Sequence, residues 1–382
     1  MIIAADDGIP YLNESFSRLG EVRLFSGRDL RPIDVRDADA LIVRTKTQVN
    51  ASLLEGSRVR FVGTATIGTD HLDTEYLNAT GIRFASAAGC NANAVAEYVI
   101  SALLVLAERK RWNLQRKSLG VVGVGRIGSR VEKKAQALGM KVLLCDPPLR
   151  ESTGDARYGF LSDVLEADVL TFHVPLTRKT PYPTHHMANR EFFQDLSSRQ
   201  YVLNSSRGAV VCNPHLKEAL ERGQIGGAVL DVWENEPAID FDLLDWLELG
   251  TPHIAGYSLD GKVRGTAMIF EELCRSFGTG ERWNPAGLFG PSRKLVPETG
   301  VEDQRAIHSV VMQAYDIRQD DVRLRDLKNL DADSADGQFD RLRDEYVFRP
   351  EFSHFAVELV ADSRLAPALQ VLGFETFARE SG

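Results

Sequence analysis

Three charged residues in the second half of the chain carry the side chains needed to oxidise a 2-hydroxy acid. They are Arg207, Glu236 and His253. A histidine can take the hydroxyl proton as hydride leaves for a nicotinamide. An arginine can hold a carboxylate through two parallel hydrogen bonds, and an acidic residue can orient the imidazole and stabilise its protonated form. Alone, each residue is common in loops, caps or turns, but their order behind the motif described next favours catalysis.

A glycine-rich motif lies upstream, between a predicted strand and a predicted helix. In G-x-G-x-x-G the first glycine permits a tight turn, the second lets the backbone approach a pyrophosphate, and the third lets the helix pack on the strand. Such a turn alone is weak evidence, because it often serves packing only. Here strand, glycines and helix occur in the expected order, which predicts an NAD site at Gly123, Gly125, Arg126, Ile127 and Gly128.

Asp146 strengthens this cofactor prediction. It follows the predicted strand Lys141–Cys145, about 20 residues after the glycines, where an acid can bind the ribose hydroxyls. Its carboxylate would repel a 2′-phosphate, so the sequence favours NAD over NADP. The alternative is that Asp146 only caps the turn before Pro147 and Pro148.

The segments that must position these residues alternate between strand and helix patterns, which indicates parallel α/β sheets. Loops after the carboxyl ends of such strands converge over the ligand crevice. The predicted strands are Ile2–Ala5, Ala40–Val43, Phe61–Ala65, Ile82–Ala85, Leu119–Val122, Lys141–Cys145, Val169–His173, Tyr201–Asn204 and Gly227–Leu230. The predicted helices are Pro10–Leu19, His71–Ala79, Asn91–Lys110, Arg126–Leu138, Pro214–Arg222 and Ser258–Phe277, the last returning the chain to the first domain.

We therefore expect an α/β protein with two Rossmann-like parallel-sheet lobes and a small C-terminal α+β domain. The predicted substrate-binding lobe comprises residues 1–92 and 257–284, and the predicted NAD-binding lobe comprises residues 93–256. A stretch rich in glycine and proline, 284–291, marks the boundary to the C-terminal domain, residues 285–382.

Composition and cysteine usage narrow the class of protein. The chain has 382 residues, 43% hydrophobic and 26% charged, with a net charge of -9, which is typical of a globular protein and argues against nucleic-acid binding. It has no apolar run of the roughly 18 residues that cross a membrane and no signal-peptide pattern at its start. Four widely spaced cysteines predict no disulfide framework, so we expect a cytoplasmic protein. No metal site is predicted, because the pair His185–His186 has no third ligand nearby in the sequence, and His173 is expected to be structural.

Several motifs resemble the D-2-hydroxyacid dehydrogenase family, and within it the subfamily that acts on 4-phosphoerythronate in vitamin B6 biosynthesis. The motifs are residues 61–73, 145–148, 230–234 and 253–262, with 315–321 in the tail. The resemblance implies an NAD-dependent oxidation of 4-phospho-D-erythronate to 2-oxo-3-hydroxy-4-phosphobutanoate by a homodimer. A 2-oxo acid is a candidate for re-oxidising the cofactor.

The resemblance also implies roles for individual residues. Thr45, Thr66 and Tyr257 would contact substrate, and Arg44, in the basic turn 43–47, adds a possible phosphate ligand. A solvated loop is an equally good interpretation of that turn. The implied cofactor contacts are Val174, Ser206, Arg207, Asp231 and Gly256. The chain departs from the subfamily at three positions, which are Gly8 where Asn is usual, Val174 where Thr is common and Cys212 where Asp is common.

Two other functions remain open from the sequence. One is oxidation of another phosphorylated 2-hydroxy acid, such as 3-phosphoglycerate. The other is a non-enzymatic NAD(H)-sensing role on the same fold, since fold alone does not determine function. The complete set of arginine, acid and histidine argues against a sensor, which has no need of a histidine paired with an acid.

The tail, residues 292–382, is predicted to be a dimerisation module. Its apolar stretches, Ile307–Met312 and Phe355–Val360, are expected to need a partner surface. Its arginines, among them Arg341, Arg343 and Arg349, are candidates to reach a neighbouring active site. For most of them, pairing with adjacent acids is the expected outcome.

Overall fold

A computed structural model describes the backbone of residues 1–27, 29–290, 292–360 and 363–378, and all their side chains except those of Ala332 and Asp333. The chain divides into two compact units. The first unit comprises Met1–Asn91 with Ser258–Pro291, and the second comprises Ala92–Tyr257 with Ser292–Gly382. Pro291, which closes the predicted boundary stretch, lies outside the described residues. Within the described residues, no helix combines the length and apolar character needed to cross a membrane.

Strands and helices alternate along most of the chain. The strands β1 to β15 are Ile2–Asp6, Glu21–Phe25, Ala40–Val43, Phe61–Thr64, Arg83–Ser86, Ser118–Val122, Lys141–Cys145, Tyr158–Gly159, Val169–Phe172, Tyr201–Asn204, Gly227–Leu230, Leu249–Gly250, Arg293–Leu295, Phe355–Leu359 and Glu375–Ala378. The α-helices α1 to α15 are Leu12–Phe16, Pro32–Val35, Ala51–Leu54, Thr74–Ala79, Ala92–Lys110, Gly128–Ala137, Pro147–Thr153, Arg190–Gln194, Asn213–Glu221, Phe241–Trp246, Leu259–Phe277, Asp303–Ala314, Arg318–Asp326, Ala332–Asp344 and Ala366–Leu372.

The first unit contains a five-stranded parallel sheet in the order β2-β1-β3-β4-β5. All four residues of β3 are buried, as is typical of parallel strands covered on both faces. Helix α11 belongs to this unit. The sequence does not predict β2, because this edge strand is partly exposed and includes Glu21 and Arg23 among its five residues.

The second unit contains a seven-stranded parallel sheet in the order β12-β11-β10-β9-β6-β7-β8. The strand order reverses between β6 and β9, and parallel sheets bind ligands at the carboxyl ends of the strands at such a switch point. The glycine motif follows β6, and the loops with Arg207 and Glu236 follow β10 and β11. The topology therefore brings the motif and these loops to one edge of the sheet.

The C-terminal segment adds a three-stranded parallel sheet, β13-β14-β15, to the second unit. With this sheet, the predicted fold class of two Rossmann-like sheets and a small C-terminal sheet is confirmed. A buried ion pair ties the segment to helix α5, since Arg349 Nη1 lies 2.9 Å from Glu97 Oε2. The backbone N–H of Phe352 and the side-chain amide of Asn93 also donate to Glu97, each at 2.9 Å.

The apolar stretches of the tail are buried within their own chain. They place one face of α12 and alternate residues of β14 in the core, namely Ile307, Val310, Val311, Phe355, Val357 and Leu359. Helical and strand periodicity thus direct these side chains inward. The prediction that the two stretches need a partner surface is wrong, although Val360 is 68% exposed.

Candidate active site

The glycine motif forms a tight turn between β6 and α6. Gly123 has φ +88°, and a Cβ there would lie 2.6 Å from the carbonyl oxygen of His173. A Cβ at Gly128 would lie 2.0 Å from the carbonyl oxygen of Gly123, so the helix packs closely on the turn. A Cβ at Gly125 would meet nothing within 4 Å. The first and third glycines therefore serve packing, and the second faces open space that suits a pyrophosphate.

Asp146 connects the glycine turn to the next helix. Its Oδ2 accepts the backbone N–H of Val124 at 2.8 Å, and its Oδ1 accepts that of Leu149 at 2.9 Å, capping α7. The alternative structural role is therefore real. A carboxylate offers about four acceptor sites, so the two bonds leave capacity for ribose hydroxyls, and the residues present fit the adenosine half of NAD.

His253 and Glu236 form a hydrogen-bonded pair. His253 Nδ1 lies 2.8 Å from Glu236 Oε2, and the other carboxylate oxygen accepts the backbone N–H of Trp233 at 2.8 Å. Burial raises the pKa of Glu236, but His253 and the Trp233 N–H outweigh burial and hold that pKa below its usual value. The pair thus presents an ionised acid behind an imidazole whose Nε2 is the atom left for proton transfer.

Backbone strain accompanies the pair. His253 has φ +57° and Asn235 has φ +63°, a region that side-chain-bearing residues seldom adopt. The turn at Asn235 separates Glu234 from Glu236, and the two acids pair with different histidines. His186 Nε2 lies 2.6 Å from Glu234 Oε1. One short loop therefore supplies the acid of two separate histidine–acid pairs.

Asp231 holds the loop that presents His253. Its Oδ1 accepts the backbone N–H of Ile254 at 2.8 Å and the hydroxyl of Thr251 at 2.7 Å, and its Oδ2 accepts the N–H of Ala255 at 3.0 Å. The His253 N–H donates to the Asp231 carbonyl at 2.7 Å. Burial raises the pKa of Asp231. Its predicted contact with NAD stays a prediction, whereas its structural role here is direct.

Arg207 lies in the loop after β10, beside the loop that carries Glu236. The side-chain amide of Asn204 donates to the Arg207 carbonyl at 2.9 Å, which shapes this turn. A Cβ at Gly208 would lie 1.9 Å from the carbonyl oxygen of Trp233. Only glycine allows the two loops to approach so closely, which brings the arginine loop against the acid loop within the second unit.

Arg44, in the first unit, is held by an ion pair. Its Nη2 lies 2.7 Å from Oδ1 of the fully buried Asp6. A Cβ at Gly8 would lie 2.0 Å from the Arg44 guanidinium. Because residue 8 is glycine, the Arg44 guanidinium can occupy the space beside it. A side chain at position 8 would have to displace the guanidinium.

The two threonines predicted to bind substrate differ in their surroundings. Thr45 is exposed in the turn after β3. Thr66 Oγ1 lies 2.7 Å from Thr64 Oγ1, which in turn lies 3.0 Å from His71 Nε2. Burial lowers the pKa of His71 to about 4, so this imidazole is neutral near pH 7. Thr66 is thus linked to the neutral His71 through a hydrogen bond with the Thr64 hydroxyl.

Tyr257 contacts the C-terminal segment of its own chain. The Arg343 guanidinium donates to the Tyr257 hydroxyl, and its charge acts on the Glu236 carboxylate. The rings of Tyr346 and Phe348 lie 5.8 Å and 6.0 Å from that of Tyr257. From the sequence, Arg343 is only a candidate to reach a neighbouring active site. No local pattern links it to Tyr257, because the two residues are far apart in the chain.

The other two tail arginines have different partners. Arg349 is buried against Glu97, as described above. Arg341 Nε lies 3.9 Å from Glu345 on the surface, the outcome expected for most of the tail arginines.

The remaining predicted cofactor residues border the same turns. Val174 Cγ1 lies 2.8 Å from the position of a Cβ on Gly123. Ser206, which is buried, donates its hydroxyl to Asn204 Oδ1 at 2.8 Å. Gly256 directly follows the loop held by Asp231. Their contacts with NAD stay predictions. His173 is buried, and burial lowers its pKa to about 3, which agrees with a structural role.

The expectation that no third ligand lies near His185–His186 is wrong. The fold brings Cys212 and Glu234 close to His186, and one donor atom from each of the three residues lies within 4.8 Å of the others. These residues are 22 or more positions apart in sequence, so spacing along the chain carries no sign of the cluster.

Comparison with known proteins agrees with this geometry. Residues 104–255 match the D-isomer specific 2-hydroxyacid dehydrogenase NAD-binding domain, and residues 291–373 match a domain of unknown function, DUF3410. Among solved structures, the TT0316 protein of Thermus thermophilus is 28% identical with a TM-score of 0.61, covering 74% of this chain and 98% of that one. The D-lactate dehydrogenase of Aquifex aeolicus, solved with NAD and lactic acid, is 26% identical with a TM-score of 0.58, covering 73% and 96%.

Full-length relatives narrow the family. The erythronate-4-phosphate dehydrogenase of Edwardsiella ictaluri is 46% identical over 98% of this chain and 99% of its own length. That of Pectobacterium atrosepticum is 45% identical over 99% of both. The chain therefore belongs to the D-isomer specific 2-hydroxyacid dehydrogenases and, within them, to the erythronate-4-phosphate dehydrogenase family.

Proposed function

We propose that the protein oxidises 4-phospho-D-erythronate to 2-oxo-3-hydroxy-4-phosphobutanoate, with NAD as hydride acceptor, in pyridoxal 5′-phosphate biosynthesis. The observation that carries the proposal is the His253–Glu236 pair, 2.8 Å apart, beside the Arg207 loop. This is the set of groups that oxidation of a 2-hydroxy acid requires. The relatives, similar along nearly the whole chain, favour the four-carbon phosphorylated substrate over 3-phosphoglycerate.

The chain's own residues divide the work at the reacting carbon. When bound, NAD accepts the hydride from C2 of the substrate. His253 Nε2 takes the proton of the C2 hydroxyl, and Glu236 stabilises the imidazolium that results. Arg207 holds the substrate carboxylate, which orients C2. Loss of one hydride and one proton converts the alcohol to the ketone, so the balance is complete.

Cofactor and substrate contacts extend this site. The pyrophosphate of NAD is bound by the glycine turn, namely Gly123, Gly125, Arg126, Ile127 and Gly128. The ribose is bound by Asp146. The remaining cofactor contacts are Val174, Ser206, Asp231 and Gly256. Arg44, Thr45, Thr66 and Tyr257 are the proposed substrate contacts. Arg343 is a further positioning residue, because it donates to Tyr257 and adds a cation close to Glu236. This cation offsets, locally, the acidic net charge of -9 that an anionic substrate would meet.

Substrate profiling tests the proposal. Full-length protein is mixed with NAD and 4-phosphoerythronate, 3-phosphoglycerate or non-phosphorylated erythronate, and NADH fluorescence is followed. A 2-oxo acid is added in parallel, so that a cofactor retained as NADH is re-oxidised and turnover becomes visible. We expect kcat/KM to be highest for 4-phosphoerythronate. Higher efficiency with 3-phosphoglycerate would favour the alternative enzyme, and tight NAD binding without turnover of any acid would favour a sensor.

We also propose that the protein is a cytoplasmic homodimer and that residues 292–382 contribute to dimerisation. Four free cysteines support a reducing compartment. Exposed apolar side chains elsewhere in the tail, such as Val347 at 85% and Val322 at 55%, support a contact with a second copy. Light scattering of the full chain and of a truncation after Phe289 tests this role. A truncated protein that stayed dimeric would contradict it.

A further inference from the structure

We propose that His186, Cys212 and Glu234 form a binding site for a divalent, zinc-like metal ion. One donor atom from each residue, a ring nitrogen, a sulfur and a carboxylate oxygen, lies within 4.8 Å of the other two. These are the three donor types that zinc takes in proteins, at bond lengths of about 2.0 to 2.3 Å. The catalytic groups Arg207, Glu236 and His253 are not among them.

The three ligands come from separate segments that the backbone holds in place. His186 N–H donates to the Ala209 carbonyl at 2.7 Å, and Cys212 N–H donates to the Ala188 carbonyl at 3.0 Å. These two bonds lock the histidine segment to the cysteine segment. The site is therefore largely formed before an ion arrives, which lowers the entropy that binding must overcome.

A reciprocal pair of bonds fixes the third segment. Asn213 N–H donates to Glu234 Oε2 at 2.6 Å, and Glu234 N–H donates to Asn213 Oδ1 at 3.1 Å. The first bond orients the carboxylate while its Oε1 points to His186. Outer hydrogen bonds of this kind commonly orient metal ligands.

Charge and access also suit a divalent cation. A thiolate and a carboxylate together neutralise two positive charges, so the ion brings no net charge into the site. Burial raises the pKa of the Cys212 thiol, so binding of the ion would release the thiol proton. Cys212 is 5% exposed, whereas the His186 side chain is 35% exposed, which provides an entry path. Three protein ligands leave a fourth position for water.

The ordinary alternative is a simple hydrogen bond between His186 and Glu234, 2.6 Å long, with Cys212 serving only as the residue that precedes helix α9. The two interpretations differ in the sulfur. In a metal site the Cys212 sulfur bonds the ion, and in the alternative it contributes nothing to metal affinity. The experiment must therefore detect sulfur ligation directly.

Cobalt titration provides that test. Metal-free, full-length protein is titrated with Co²⁺ alone, and the near-ultraviolet thiolate-to-cobalt charge-transfer band is recorded. The matched control is Cys274→Ser, since Cys274 is also 5% exposed but lies in the first unit. We expect one Co²⁺ per chain, with the band, in the native protein and in Cys274→Ser. We expect no band in Cys212→Ser.

A second measurement uses Zn²⁺ alone, by equilibrium dialysis with elemental analysis. His186→Ala should weaken Zn²⁺ binding at least about 10-fold, since loss of even an outer-shell partner has that effect. Absence of the cobalt band in the native protein, or the same band in Cys212→Ser, would overturn the proposal. If Cys212→Ser does not fold, Cys212→Asp keeps an anionic oxygen donor. It should bind Co²⁺ without the band, and a band in that variant would also overturn the proposal.

Discussion

Replacing Glu236 by glutamine should invert the hydrogen-bonding order of the catalytic pair. Glu236 accepts two bonds of 2.8 Å, one from His253 Nδ1 and one from the backbone N–H of Trp233. The Trp233 N–H is a fixed donor, so the glutamine oxygen must face it. The glutamine NH₂ then faces Nδ1 and places the imidazole proton on Nε2, the atom that has to accept the substrate proton.

The size of the effect follows from this inversion. It should exceed about 100-fold in kcat, the low end of general acid–base contributions. The upper bound is about 10⁴-fold, the loss found when the acid of a hydrolase triad becomes an amide and the tautomer is wrong. His253→Ala should fall in the same range. The double variant should be little worse than either single one, because the two residues act as a unit.

The assay is NADH formation from 4-phosphoerythronate, with NAD affinity measured separately by fluorescence. Glu248→Gln is a matched control, since its side chain is 17% exposed against 18% for Glu236, and it pairs with Lys110 instead of His253. We expect the control to retain its kcat. A kcat within about threefold of native in Glu236→Gln would refute the tautomer argument.

Three further predictions concern the cofactor, the substrate and the tail. Asp146→Ala should weaken NAD binding and narrow its preference over NADP, as measured by the two dissociation constants; a native enzyme that prefers NADP would contradict it. Arg343→Met should raise the KM for 4-phosphoerythronate about 10- to 100-fold, the range expected for loss of a charge-assisted hydrogen bond. Arg341→Met, the control, should leave that KM unchanged. An equal rise in both variants would contradict a special role for Arg343. Arg349→Ala should lower the free energy of unfolding by about 3 to 5 kcal/mol in urea, because the fully buried Glu97 loses its guanidinium partner; a loss below about 1 kcal/mol would contradict the role of this ion pair in anchoring the C-terminal segment.

Buried parallel strands are the part of the fold that the sequence predicts best. Ala40–Val43, Lys141–Cys145, Tyr201–Asn204 and Gly227–Leu230 match the structure at both ends. Most of their residues are apolar, as is typical of parallel strands covered on both faces. Strands of two residues, such as Tyr158–Gly159, carry too few positions for any period to emerge. Helix ends shift by one to three residues in most cases, since end turns depend on local caps.

Catalytic motifs are predictable where chemistry and chain order coincide. The glycine turn, Asp146 and the three proposed catalytic residues each follow a strand, so parallel topology alone places them at one edge of the sheet. Their pairing is a different matter. Nothing in the run from Trp233 to Glu236 says that Glu236 turns to His253 while Glu234 turns to His186. That choice depends on the left-handed backbone of Asn235, φ +63°, which rotates two acids onto different partners.

The same limit explains what sequence reasoning missed at longer range. Arg343 meets Tyr257 only because the C-terminal segment returns to the second unit, where its buried Arg349 pairs with Glu97. An ion pair buried this deeply is costly to break, so it also fixes the residues around it. The tail thus bears on the site through contacts within its own chain, whether or not it also joins two copies. Removing it would expose Glu97 and release Tyr257 together, so loss of activity on truncation measures both effects, and only the point variants Arg343→Met and Arg349→Ala separate positioning from stability.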